Sequence, residues 1–400
     1  MLKADLDSIR HFSPATASSD GGRWFLLDVI KAIGCVLIVW HHLAVYSPMF
    51  DRVMWLAPDP FAALYNHGQL AVQAFLVVAG FLSAAQLLRF VPVSAQSLSA
   101  HFSVPHLLAK RYLRLAIPLM AALTFTVCVT ALVRPWYPHD SLSDAPRVWT
   151  LVVHALMLQD LLGVPALSAG IWYVAIDFQL FAIAVGCVWL AGQIQRWQPR
   201  FNLRGLTVLL WLLLSALSLD WWNRQDNLDV QGLYFFGSYG LGMLAYRVRL
   251  SRITAKGWSI IFVLGLFALW LEPRMRMGLA WGLALMLAAL PPIAAPGAAS
   301  AAVASVGARW QRAISSLAEK SYSVFLVHFA VSLLVSAAWY QADWQDPWAN
   351  LAGMCLSFAL SLCAGSVLYR AVERRPATWG HLLLWQLAFV LSGGLAMALA

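Results

Sequence analysis

Apolar residues run along this chain in long unbroken stretches, not in the alternating pattern of strands or the narrow stripes of soluble helices. Ten stretches predict helices able to cross the ~30 Å hydrocarbon core of a bilayer. They cover roughly residues 24 to 46, 68 to 88, 115 to 133, 171 to 193, 205 to 221, 230 to 246, 257 to 271, 277 to 293, 321 to 341 and 349 to 369. A last run, 382 to 400, is either an eleventh span or a helix lying at the membrane surface. The stretch WTLVVHALMLQDLLG, residues 149 to 163, predicts an amphipathic or re-entrant piece inside a long outer loop, residues 134 to 170. Loops of that length are usually functional. The fold class is therefore all-α: a polytopic membrane helical bundle of about ten transmembrane helices plus a possible C-terminal one. It divides into a polar N-terminal segment 1 to 23, a membrane domain 24 to 376 and a C-terminal apolar segment 377 to 400.

Composition agrees, with 61% of residues hydrophobic, 11% charged and a mean hydropathy of +0.70. A soluble domain carries about 25% charged residues. The net charge of +9 raises nucleic acid as a partner, but the placement of the basic residues argues for the lipid bilayer instead. With the N-terminus inside, twenty of the 27 Lys and Arg fall in cytoplasmic segments, six fall opposite and Lys31 lies within a span. That asymmetry is the positive-inside pattern. A single extra crossing at 149 to 163 would invert every later loop and abolish it. The first 23 residues are polar and the following run is too long for a cleavable leader, so the first span is expected to act as an uncleaved signal anchor. All five cysteines (Cys35, Cys128, Cys187, Cys355, Cys363) fall in predicted spans, where neither a disulfide framework nor a metal site is expected. Residues 291 to 308, PPIAAPGAASAAVASVGA, predict a flexible connection. With no Gly-rich nucleotide loop and no soluble domain, the chemistry is assigned to the bundle.

The first span carries the most informative polar positions. At about 100° per residue, Lys31 and His42 share one stripe with Cys35, with Asp28 near enough for an i to i+3 pair with Lys31, while His41 points elsewhere. An ionisable stripe in a membrane helix signals a functional site by default. The alternative is that His42 anchors the helix at the interface and Lys31 snorkels inward. The two are ~16 Å apart along the axis, too far to touch. A base needs an orienting partner, and IWYVAIDFQLF offers Asp177, six residues into its span from the outer side, at the depth expected for His42. Asp177 would then fix the imidazole tautomer and stabilise its protonated form, or else form a structural ion pair with an Arg or Lys.

Several segments resemble one family in order and spacing. RWFLLDVIKAIGCVLIVWHH resembles the opening of the acyltransferase-3 membrane family, whose first helix carries an Arg or Lys separated by ten intervening residues from a functional His; that spacing gives Lys31 and His42. HGQLAVQAFLVVAGFL is similar to the second-helix segment, with Gly68, Val72, Phe75, Gly80 and Phe81 in place and Ala79 where Ser is usual. RYLRLAIP resembles the basic start of the third helix, with Arg111 and Arg114. IWYVAIDFQLF is similar to a Trp-led segment with paired acids, here reduced to Asp177 followed by Phe178 and Gln179. SYSVFLVHFAV and YRAVERRP are similar to a Ser-Tyr-Ser helix ending in His328 and to a closing Glu-Pro motif around Glu373. The resemblance spans residues 23 to about 376.

It implies transfer of an acyl group, most often acetyl, from acetyl-CoA or another acyl-CoA to a hydroxyl of a cell-surface saccharide, in the inner (plasma) membrane. His42, Asp177 and Lys31 are the catalytic candidates. Arg111 and Arg114, expected at a cytoplasmic helix N-terminus where the dipole favours anions, are candidates for the coenzyme A phosphates, or are topology anchors. His328, placed in the cytoplasmic half of its span, lines the cofactor path or is a hydrogen-bonded bundle histidine. His67, Trp172, Tyr173 and Gln179 are candidates for substrate contact, with Lys31, Tyr173 and Gln179 also considered as oxyanion donors. The competing class is a transporter or flippase of a lipid-linked saccharide. It is disfavoured because no inverted repeat and no matched pair of broken helices is evident.

Overall fold

The computed structural model describes residues 25–92, 98–250, 255–289 and 303–399, of which 303–306 are described as backbone only. The expected N-terminal segment 1 to 23 and most of the connection 291 to 308 lie outside them. Among the described residues every regular element is helical. The helices are α1 Phe25–Tyr46, α2 Met49–Val53, α3 Pro58–His67, α4 Ala71–Leu87, α5 Val104–Val133, α6 Val148–Ala155, α7 Trp172–Trp197, α8 Leu203–Asp220, α9 Gly232–Leu250, α10 Ala255–Leu271, α11 Met275–Ala288, α12 Val303–Ala342, α13 Pro347–Leu368 and α14 Trp379–Leu399.

Each of the ten apolar runs falls on a helix over its described residues, and eight helical stretches among the described residues are long and apolar enough to cross a membrane. The C-terminal run is among them, as the 21-residue α14. It buries Leu382, Phe389 and Ala396 and exposes Leu384, Leu387, Leu391 and Leu395. That division suits a helix with one face on protein and the other in lipid.

Local signals set several starts. The Asn202 side chain accepts from Gly205 N (2.8 Å) at the head of α8, and Asp346 accepts from Ala349 N (2.7 Å) at the head of α13, where Pro347 follows. Both satisfy otherwise orphaned first-turn amides. Two helices begin earlier than hydropathy predicts. α5 starts at Val104 after Ser103, with Pro105 in its first turn, and α12 starts at Val303. The predicted flexible connection therefore ends inside α12.

α1, α5 and α12 run parallel at the centre. Four contacts fix the register of α1 on α12: Asp28 with Ser315 (2.7 Å), Cys35 with the Ser321 carbonyl (3.9 Å), His42 with His328 (2.5 Å) and Ser47 with Ser336 (3.0 Å). Tyr322 donates to the Leu115 carbonyl of α5 (2.9 Å). α9 packs against α4 backbone to backbone: a Cβ on Gly80 would stand 1.8 Å from the Tyr239 carbonyl oxygen, and one on Gly242 would stand 2.0 Å from that of Val77. Small residues allow such close approach where lipid gives no hydrophobic drive between helices.

Candidate active site

His42 and His328 are both buried where α1 meets α12. Nδ1 of His42 lies 2.5 Å from Nε2 of His328, with the ring centroids 4.8 Å apart and the planes 19° from parallel, so the rings meet edge to edge. Nδ1 of His328 lies 2.5 Å from the Phe325 carbonyl oxygen, one turn back on its own helix. Tyr46 packs edge-on against the His42 ring. Gly170, just ahead of α7, closes the other side with φ +79°; a Cβ there would come within 3.1 Å of His42 Cε1 and 2.9 Å of Phe325 Cζ. His41 turns away as its helical angle predicts. It rests against Gly68 and its Nδ1 lies 3.3 Å from the Leu64 carbonyl.

Asp177 is not the partner of that imidazole. It is buried against Arg111, whose Nη2 reaches both carboxylate oxygens at 2.7 and 2.5 Å, and the guanidinium also lies over the Phe181 ring at 5.2 Å. The error was one of depth. α7 does not begin at the surface of the bundle but within it, at the level of His42, because residues 134 to 171 turn inward before it. Seven residues from Gly170 to Asp177 then carry the carboxylate ~10 Å further along the axis. Of the two alternatives for Asp177, its contacts match the structural ion pair.

The placement of Arg111 and Arg114 at a helix N-terminus is likewise corrected, since α5 starts about two turns earlier, at Val104. Arg111 points into the bundle, while Arg114 is exposed. Arg114 and Lys31 lie close enough to Glu373 for their charges to act on its carboxylate, and Ser323 donates to Glu373 at 2.5 Å. This polar cluster sits toward the end where α1 begins. His328 is also deeper in the bundle than an apolar run starting at residue 321 predicts: it is level with His42, and α12 begins at Val303.

The remaining candidates are dispersed. Tyr173 packs against Phe75 and Phe325, and its charge environment includes Asp177 and Arg111. Trp172 stacks on Phe235 (5.5 Å), and His67 is exposed at the end of α3. Gln179 accepts from Gly232 N (2.8 Å), which ties α7 to the head of α9 and gives the side chain a structural task. Among the described residues no group of three His, Cys, Asp or Glu could hold a metal ion.

His154 in α6 was not singled out from sequence. Its Nδ1 donates to the Thr150 carbonyl (2.7 Å) and its Nε2 accepts from Leu167 N (3.2 Å), pinning the loop that delivers Gly170. Burial lowers its pKa below the ordinary imidazole value, and the Thr150 bond partly opposes this. The His42 to His328 contact was also missed. Its signal was a second polar stripe, Ser321, His328, Ser332 and Ser336, at helical spacing on α12.

A family model described as an acyltransferase domain matches residues 25–370. No curated protein and no solved structure matches the chain.

Proposed function

The chain belongs to the acyltransferase-3 family, and from that premise we propose that it moves an acyl group, acetyl in the simplest case, from an acyl-CoA to a hydroxyl of a cell-surface or exported saccharide. The observation that carries this is the buried His42, held by His328 beside the first turn of α7 at the far end of a polar stripe that begins at Lys31. Acyl transfer to a hydroxyl needs a positioned base out of bulk water. The donor supplies an acyl group activated as a thioester. His42 takes the hydroxyl proton as the acceptor oxygen bonds to the thioester carbonyl carbon. When the carbon to sulfur bond breaks, His42 returns that proton to the sulfur, so that one ester and one thiol leave.

The residues present fit an acyl-CoA donor. Arg114, exposed near Lys31, offers a guanidinium fork suited to phosphate oxygens. Arg111 is held by Asp177, and its Nε is buried without an acceptor, so it can receive an amide carbonyl of the pantetheine arm. On this assignment the donor arrives at the end where α1 and α5 begin, which the basic excess makes cytoplasmic in the plasma membrane. The acceptor approaches from the side of His67 and Trp172. Arg111 and Asp177 tie α5 to α7 and do not take the proton.

The test is transfer of labelled acetyl from acetyl-CoA to endogenous saccharide in membranes carrying wild type, His42→Ala or His41→Ala at matched expression. Loss confined to His42→Ala is expected. Equal transfer by wild type and His42→Ala removes the base, and no transfer by wild type removes acetyl-CoA as the donor.

A further inference from the structure

We propose that His328 is the positioning residue that sets the tautomer of His42. This rests on the reading of His42 as the base and goes beyond it by assigning the proton on each of four ring nitrogens. A carbonyl oxygen only accepts, so the 2.5 Å contact of His328 Nδ1 with the Phe325 carbonyl requires the proton on that nitrogen. In a neutral imidazole the other nitrogen is then bare, so Nε2 of His328 is an acceptor. The only proton available to the 2.5 Å contact between the rings is one on Nδ1 of His42. His42 therefore carries its proton on Nδ1 and presents a bare Nε2.

The opposite arrangement needs His328 doubly protonated, so that Nε2–H donates to His42. Neither imidazole has an ion-pair partner among the described residues, and a cation buried there would stand uncompensated. The geometry also aims the bare nitrogen. Nδ1 faces α12 and Cε1 faces Gly170, so Nε2, on the opposite edge of the ring from Nδ1, points away from α12. As the hydroxyl proton arrives on Nε2, the Nδ1–H bond to His328 strengthens against the growing positive charge. His328 does for this base what a buried carboxylate does in a hydrolase triad, without bringing a second charge into the membrane. The anchor is local, since Phe325 and His328 are one turn apart on one helix. The donor path needs no contact with His328.

Two measurements test this. In the first, kcat and KM for acetyl-CoA are compared for wild type, His328→Leu, His328→Gln and His42→Ala. The Leu variant should lose about a hundredfold or more in kcat, with KM within about twofold. The Gln variant, whose amide oxygen can take the place of Nε2 as acceptor, should recover at least about tenfold over Leu. A loss carried by KM, or a folded Gln variant no better than Leu, overturns the proposal in favour of a donor-binding or space-filling histidine.

The second measurement needs no active variant: 15N spectra of histidine-labelled protein in bilayers, with His42 assigned by difference against His42→Gln. A proton on Nδ1 of His42 is expected in wild type, and a proton on Nε2 overturns the proposal even if His328→Leu fails to fold. If His42→Ala keeps full transfer, the base assignment fails instead, and the 15N result alone decides what His328 does.

Discussion

Arg111 and Asp177 form an ion pair inside the bundle that joins α5 to α7, with one guanidinium nitrogen serving both carboxylate oxygens. Two charges at that depth are costly to desolvate, and their attraction offsets the cost only while both are present. Asp177→Ala should therefore destabilise the protein by about 3–5 kcal/mol, because it leaves a buried guanidinium unpaired. Arg111→Met with Asp177→Leu should recover most of that loss, since a packed apolar pair carries no desolvation penalty. Thermal unfolding in detergent of the single and double variants checks this. A double variant as unstable as Asp177→Ala would mean that the pair contributes more than mutual neutralisation.

Gly170 is the point where the loop after α5 meets the imidazole of His42. Its φ of +79° already disfavours a side chain, and a Cβ would press on Phe325 and His42. Gly163, in the same loop, has φ +62° but open space around it. Alanine at either position should cost about 1–3 kcal/mol in backbone strain. Only Gly170→Ala should also displace the His42 ring, and a shift of ~1 Å at a reacting group costs roughly a hundredfold in rate. Transfer rates of the two variants, compared at equal stability, separate strain from displacement. A Gly170→Ala enzyme as fast as Gly163→Ala would remove the contact from consideration.

The membrane fold was legible because apolar length is a strong signal, and the different surroundings of His41 and His42 because a helical angle separates them. What failed was depth. α5 and α12 extend well beyond their apolar runs, through segments such as HLLAKRYLRL whose residues favour helix even where they are polar. Hydropathy reports where lipid can touch the chain, not where a helix starts. Counting from the apolar boundary placed Arg111 at a helix end and His328 too near the cytoplasm. It also placed Asp177 beside His42, because nothing local in IWYVAIDFQLF shows that the preceding loop has already turned into the bundle. The inward turn depends on His154 holding Leu167, a contact between residues thirteen apart with no periodic signature.

That contact makes the loop acid-sensitive. The folded pKa of His154 is lowered, chiefly by burial, so the unfolded chain binds more protons in the window just below the ordinary imidazole value of about 6.5. Stability from this group is thus fully present above pH ~6.5 and is lost as pH falls toward the folded pKa. A proton on Nε2 would also face the Leu167 N–H donor directly. Thermal unfolding of wild type should move to lower temperature between pH 7.5 and 5.5, and His154→Gln should show a flatter dependence. Identical slopes for the two proteins would place the acid sensitivity elsewhere.

Arg111 and Arg114 form one sequence motif yet occupy different environments, and their variants should fail in different ways. Arg111 is committed to Asp177, so Arg111→Ala unbalances the interior and should lower folded yield before any rate can be compared. Arg114 is exposed and has Glu373 within reach of its charge, so its removal leaves no buried group unpaired. If it holds donor phosphate, it does so equally before and during the reaction, and such uniform binding appears in KM alone. Arg114→Ala should therefore raise KM for acetyl-CoA about tenfold, or ~1.4 kcal/mol, with kcat unchanged. Arg114→Lys should recover part of the loss, because an ammonium keeps the charge but not the two-pronged geometry. A fall in kcat at constant KM would move Arg114 from donor binding to support of Glu373, and KM unchanged in both variants would make it a topology anchor.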